Sequence, residues 1–72
     1  MEKHELDLHG VRHRDVDVVV ENFILMNQNS FPLTIVCGNS VKMIQLVEAV
    51  ISRIDCNTFV PRFGTIIVRG FK

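Results

Sequence analysis

Asp7 and His9 are the residues whose types and spacing could do chemistry. In Leu6-Asp7-Leu8-His9-Gly10, apolar and polar residues alternate, and successive side chains of a strand point to opposite faces. The two leucines then share one face, while a carboxylate and an imidazole stand side by side on the other. Such a pair suits proton transfer at a reacting oxygen, with the imidazole taking or giving the proton and the carboxylate orienting or polarising it. Gly10 follows where the backbone must leave the strand, and it can take a positive φ or let another backbone or a ligand come close.

A strand carrying such a pair needs partners and a layer to pack on, and the rest of the chain supplies both. Val11-Arg12-His13-Arg14 reads as a short basic loop. A helix is predicted to begin near residue 15 or 16, with Asp15 as N-cap and Asp17 adding negative charge at the positive end of the dipole. Val16, Val19, Val20, Phe23 and Ile24 follow the helical period, widened by Val18, Leu25 and Met26. The three consecutive valines leave a strand reading open at 18–20, and Asn27-Gln28-Asn29-Ser30 ends the element.

Pro32 biases Phe31 away from helix, and Leu33-Thr34-Ile35-Val36-Cys37 is a short, β-branched run expected to be a buried strand. Gly38-Asn39-Ser40 turns into a second helix from about 41 to 55, with Ser40 as N-cap. Its expected buried positions are Met43, Ile44, Val47, Val50, Ile51 and Ile54. Thr58-Phe59-Val60 reads as a short strand stopped by Pro61. Arg62-Phe63-Gly64 is a turn, and Thr65 to Arg69 is the last strand.

The order β-α-β-α-β-β predicts an α/β two-layer sandwich: a mixed four-stranded sheet, with right-handed crossovers setting both helices on one face. Asp7 and His9 then lie on the open face or its rim. Ligands of such sheets sit beyond the carboxyl ends of the parallel strands, here His9-Gly10 and Cys37-Gly38. The backbone N–H groups near Asn39, Ser40 and Val41 open the second helix and would cradle a phosphate. Arg12, His13, Arg14 and Lys42 are expected to gather there, joined by Arg62 if the third strand is also parallel.

Composition narrows the partners. The chain has 72 residues, one small domain, with 47% hydrophobic and 22% charged residues, more apolar than a disordered chain. Eight Lys+Arg balance eight Asp+Glu, so any attraction for a polyanion rests on local distribution. No apolar run approaches the roughly 20 residues of a membrane span, and the charged N-terminus is unlike a signal peptide, so a cytoplasmic protein is expected. About 20 Å of helix should separate Cys37 from Cys56, against the ~7 Å between α-carbons that a disulfide allows. Both are expected to be reduced.

Leu6-Asp7-Leu8-His9-Gly10 resembles the Leu-Asp-x-His-Gly signature on the first strand of the small MutS-related (Smr) domain. The order of elements from about residue 5 to 70 is similar to that family's as well. The resemblance implies one compact, stand-alone domain over residues 1–72 with nucleic-acid-binding or endonuclease activity on RNA or DNA, since some members of the family cleave and others only bind. It further implies Asp7 and His9 as the acid–base pair; the residues that the topology gathers around them, Gly10, Arg12, His13, Arg14, Gly38, Asn39, Ser40, Lys42 and Arg62, are then the expected phosphate contacts. Family members often carry a basic glycine motif in the second turn. Gly38 carries over, whereas Asn39 and Ser40 stand where the basic residue and second glycine would be, a departure that bears on turnover more than on binding.

Other readings use the same residues. In a purely structural role, Asp7 and His9 would hydrogen-bond the turn backbone and each other. A metal site built on His4, His9 and His13, with Asp7, is disfavoured because a glycine turn interrupts the histidines and no cysteine is near; no cofactor is expected. The Gly38 turn lacks the content of a nucleotide-binding P-loop. The alternative function is a non-catalytic module that uses the open sheet face for a protein partner or a homodimer.

Overall fold

The computed structural model describes residues 4–72. The charged residues 1–3, which enter the argument against a signal peptide, lie outside the described residues. The elements are β1 (Glu5–Asp7), α1 (His13–Met26), β2 (Leu33–Val36), α2 (Val41–Ile54), β3 (Cys56–Arg62) and β4 (Thr65–Phe71). They form a mixed four-stranded sheet in the order β1-β2-β4-β3. β1 runs parallel to β2, and β4 runs antiparallel to both β2 and β3. The carboxyl ends of β1, β2 and β3 therefore share one end of the sheet, the end at which both helices begin.

Alternation along the strands decides which face the helices cover. Leu6, Ile35 and Ile66 fall in one row and Leu33 and Val68 in another; all but the half-buried Leu6, which packs against them, join Leu8, Val16, Val20, Ile24, Val47 and Val50 in a single buried cluster. Each fully buried side chain of this kind contributes about 1.5–3 kcal/mol relative to exposure. The expected two-layer α/β sandwich is thus the observed fold.

The apolar stripe of α1 buries Val16, Val20 and Ile24, with Val19 and Phe23 packed against the cluster. Residues 18–20 are helical, not strand, and Val18 faces solvent at 62% exposure. On α2, Met43, Val47, Val50 and Ile51 are buried, and Ile44 and Ile54 pack at the margin. Arg53 of α2 clasps α1 across the outer surface, at 2.6 Å from Asp17 and 2.7 Å from Glu21. The hydrogen bond to Asp17 is the main cause holding its guanidinium still more firmly protonated than usual. Among the described residues, no helix is long and apolar enough to cross a membrane.

Several boundaries depart from the sequence expectation: β2 stops at Val36, β4 continues to Phe71, Arg62 ends β3 and is not a turn residue, and the starts of α1 and β3 move as well. α1 starts at His13, ahead of the expected residue 15 or 16, with Arg12 at the N-cap and no side-chain cap bond. The cause is the tightness of the preceding turn. Val11 N–H donates to the Leu8 carbonyl at 3.0 Å and Gly10 takes φ +85°, so the chain has already reversed by residue 12. His13 and Arg14 are therefore helical residues, and Asp15 sits inside the first turn, where its charge still favours the dipole.

α2 ends at Ile54, and Asp55 caps it in the left-handed region at φ 65°, so Cys56 and Asn57 belong to β3. That strand also runs through Pro61. β3 is an edge strand, and its pairing with β4 shifts between Phe59 and Arg62. A bulge on an edge accommodates a residue without an N–H.

Candidate functional site

The local structure around Asp7 follows from the end of strand pairing. Asp7 pairs with Val36, and Leu8 N–H still donates to the Val36 carbonyl at 3.0 Å. At the next residue the chain leaves the sheet, and the Asp7 carboxylate accepts the freed His9 N–H through Oδ1 at 2.9 Å. This is the local side chain-to-backbone bond for which aspartate is suited at turns. One carboxylate oxygen is therefore engaged by the turn backbone.

Asp7, His9, Val36, Cys37 and Gly38 line one hollow of about 270 Å³. That is below the ~300–1,000 Å³ of sites for drug-sized ligands, room for a phosphate-sized group. Asp7, His9 and Gly38 are thus brought together as expected. Val36 and Cys37 line the same hollow and were missed as site residues; the signal for Val36 is its strand parity, which sets it beside Asp7 on the open face. Burial, and then the charge of Glu48, push the Cys37 thiol upward, so the wall carries a protonated thiol and not a thiolate nucleophile.

The floor of the hollow is fixed by a second glycine. Cys37 N–H donates to the Gly64 carbonyl at 2.7 Å, and a side chain on Gly64 would overlap the Gly38 carbonyl. The β3–β4 turn is thus seated directly on the β2–α2 turn. Gly38 itself has φ +73° with open space where a Cβ would go.

The remaining predicted residues do not line the hollow. Ser40 is the N-cap of α2 as expected, its Oγ accepting from Met43 N–H at 3.1 Å. That bond engages Met43 N–H, outside the expected cradle at Asn39, Ser40 and Val41, and the earlier first-turn N–H groups have no intrahelical acceptor. Asn39 is exposed in the turn before it, and Gly10 is exposed beyond His9. Arg12, His13 and Arg14 open α1 and Lys42 opens α2, all four exposed at the same end of the sheet.

Arg62 is at that end too, on the opposite edge. The row Asp7, Val36, Thr65, Arg62 crosses all four strands, three strand spacings or ~14 Å. Among the described residues, no group of three or more His, Cys, Asp or Glu side chains could hold a metal ion. Both cysteines are free and buried.

No family model, curated protein or solved structure matches the chain.

Proposed function

We propose that the chain is a nucleic-acid-binding domain of the Smr type, cytoplasmic, which seats a backbone phosphate at the carboxyl ends of β1 and β2. The observation that carries this reading is the hollow in which Asp7, His9 and Gly38 meet, beside two helix N-termini that bear Arg12, His13, Arg14 and Lys42. Helix N-termini favour anions, and exposed cations there add attraction for a phosphodiester backbone. A chain of zero formal net charge then binds nucleic acid through one end only.

On RNA, the site is suited to transesterification. His9 takes the proton of a 2′-hydroxyl, whose oxygen attacks the adjacent phosphorus. The 5′-oxygen leaves by breaking its bond to phosphorus and takes a proton from water, giving a cyclic phosphate and a free 5′-hydroxyl, and His9 returns its proton to solvent. Asp7 orients the imidazole, and the cations at the helix starts offset the charge of the pentacoordinate phosphorus.

The test is a binding and cleavage assay with labelled single-stranded RNA, duplex DNA and supercoiled plasmid, run in chelator. Affinity is expected to fall with salt and to drop in Arg12→Ala and Lys42→Ala, with a shallower salt slope. Cleavage is expected to fall about 100-fold or more in His9→Ala, with binding largely kept. No affinity even at low salt overturns the nucleic-acid reading; affinity without cleavage leaves a binding domain and removes the catalytic role of His9.

A further inference from the structure

The open face of the sheet has an ordered charge pattern, of whose charged groups only Asp7 lines the hollow at its end. Two rows cross it: Asp7, Val36, Thr65, Arg62, and Glu5, Thr34, Ile67, Phe59. Arg69 lies on β4 beyond Ile67, and its guanidinium is carried back over the Phe59 ring at 5.5 Å from the centroid. Each row therefore begins with an acid on β1 and ends with a cation at β3. Among the described residues, none of these four charged groups takes part in an ion pair within the chain. Between the charged edges lies an apolar hollow of about 700 Å³ walled by Phe31, Pro32, Phe59, Ile67 and Arg69.

We propose that two copies of this chain pack open face to open face, as a symmetric dimer about a two-fold axis parallel to the strands. The charges select that axis. A two-fold across the strands would lay β1 on β1 and β3 on β3, acid on acid and arginine on arginine. A two-fold along the strands lays the β1 edge of one copy on the β3 edge of the other while keeping the rows in step. Asp7 then meets the partner's Arg62, and Glu5 meets the partner's Arg69, each twice by symmetry. Contacts of this kind are self-complementary, as an isologous interface requires.

A second copy fits this face better than a polyanion does. Two carboxylates and two guanidiniums cancel, so a phosphate chain attracted to β3 would be repelled along β1. A second copy satisfies both edges and covers Ile67 and Phe59, giving two aligned sheets about 10 Å apart. Four strands at ~4.8 Å spacing make a face only ~19 Å wide, small for a stable interface, so the dimer is a reversible one. It also brings the partner's Arg62 beside the hollow of Asp7 and His9, a position that a chain's own Arg62 cannot reach. The dimer itself rests on the face charges and not on the nucleic-acid reading.

The test is sedimentation velocity on the full chain over a dilution series from micromolar to submillimolar. Glu5→Arg and Arg69→Glu are each expected to weaken dimerisation on the order of 100-fold, because two like-charge contacts replace two attractive ones. An equimolar mixture of the two variants is expected to restore it, since both contacts of the mixed dimer again join opposite charges. Neither residue belongs to the proposed phosphate site, so RNA affinity per chain is read separately on the same samples. Circular dichroism checks the fold, and Glu5→Gln with Arg69→Gln replaces any reversal that unfolds, with a smaller loss expected. A wild type that stays monomeric, reversals without effect, or a mixture that stays monomeric overturns the proposal. A monomer whose oligonucleotide affinity falls in Arg69→Glu and rises in Glu5→Arg also overturns it, and assigns the face to nucleic acid.

Discussion

Gly38 and Gly64 are in backbone contact: the Gly38 carbonyl occupies the space that a side chain on Gly64 would need, and the Gly64 carbonyl accepts the N–H of Cys37 at 2.7 Å. The turn that carries part of the candidate site therefore rests on a turn near the end of the chain. Gly64 also has φ +88°, whereas Gly38, at φ +73°, has open space beside it. Gly64→Ala is expected to cost about 2–4 kcal/mol and to shift the Gly38 turn. Gly38→Ala should cost about 1–2 kcal/mol, the left-handed penalty alone. Urea unfolding of the two variants measures the difference, and amide chemical shifts at residues 37–40 report the displaced turn.

Asp7 has two separable roles. Its Oδ1 accepts His9 N–H, and an asparagine oxygen can accept the same bond. Asp7→Asn is therefore expected to keep stability within a few tenths of a kcal/mol while removing the charge beside the imidazole. Asp7→Ala should also lose the turn bond, about 0.5–1 kcal/mol at this exposed position. Denaturation midpoints set against RNA cleavage rates for the pair distinguish a structural carboxylate from a catalytic one. Equal cleavage by wild type and Asp7→Asn would leave Asp7 the turn alone.

The two helix starts differ in how they are capped. Ser40→Ala removes the bond to Met43 N–H and is expected to cost about 1 kcal/mol. Asp15→Asn changes only a charge in the first turn of α1, for about 0.3 kcal/mol. A cost for Asp15→Asn as large as that for Ser40→Ala, in thermal or urea melts, would contradict Arg12 as the uncapped N-cap.

The buried thiols give an alkaline limit. Burial raises Cys37 first and Glu48 adds to it; for Cys56 burial again leads, followed by Asp55. A raised folded value means that the native state holds these protons more tightly than the unfolded chain. Their contribution is complete below the ordinary thiol value of about 8.5 and is lost as pH rises from there through the folded values. Stability is therefore expected to fall with pH in that window, with a shallower slope in Cys37→Ala and Cys56→Ala. Urea melts from neutral to alkaline pH measure the slopes.

Element order was readable because periodicity and β-branching are local signals. The helical spacing of Val16, Val20 and Ile24, together with the cap signals before it, favours helix over the strand reading at 18–20, and the β-branched run Leu33 to Cys37 points to a strand, both without reference to the rest of the chain. Boundaries set by contact were not readable. Asp15 has the chemistry of an N-cap, yet the turn closed by Gly10 and Val11 starts the helix earlier. Pro61 has the chemistry of a stop, yet an edge position and a bulge absorb it. Within the site, the meeting of Asp7, His9 and Gly38 followed from parallel β1 and β2. The separation of Arg62 from Asp7 did not, because it depends on β4 inserting between β2 and β3, a matter of pairing order. The seat of Gly38 on Gly64 was likewise hidden, since it joins two turns remote in sequence.

The two edges of the sheet bear on how large an assembly this domain can build. β1 is three residues long, and β3 carries Pro61 and two register shifts along its pairing with β4. Neither offers the long, flat row of free backbone groups on which another strand adds. Growth by sheet extension, the route to fibres, is thus blunted at both sides. In the proposed dimer, contacts across the open face use up the surface that makes them, so association through that face would stop at a pair.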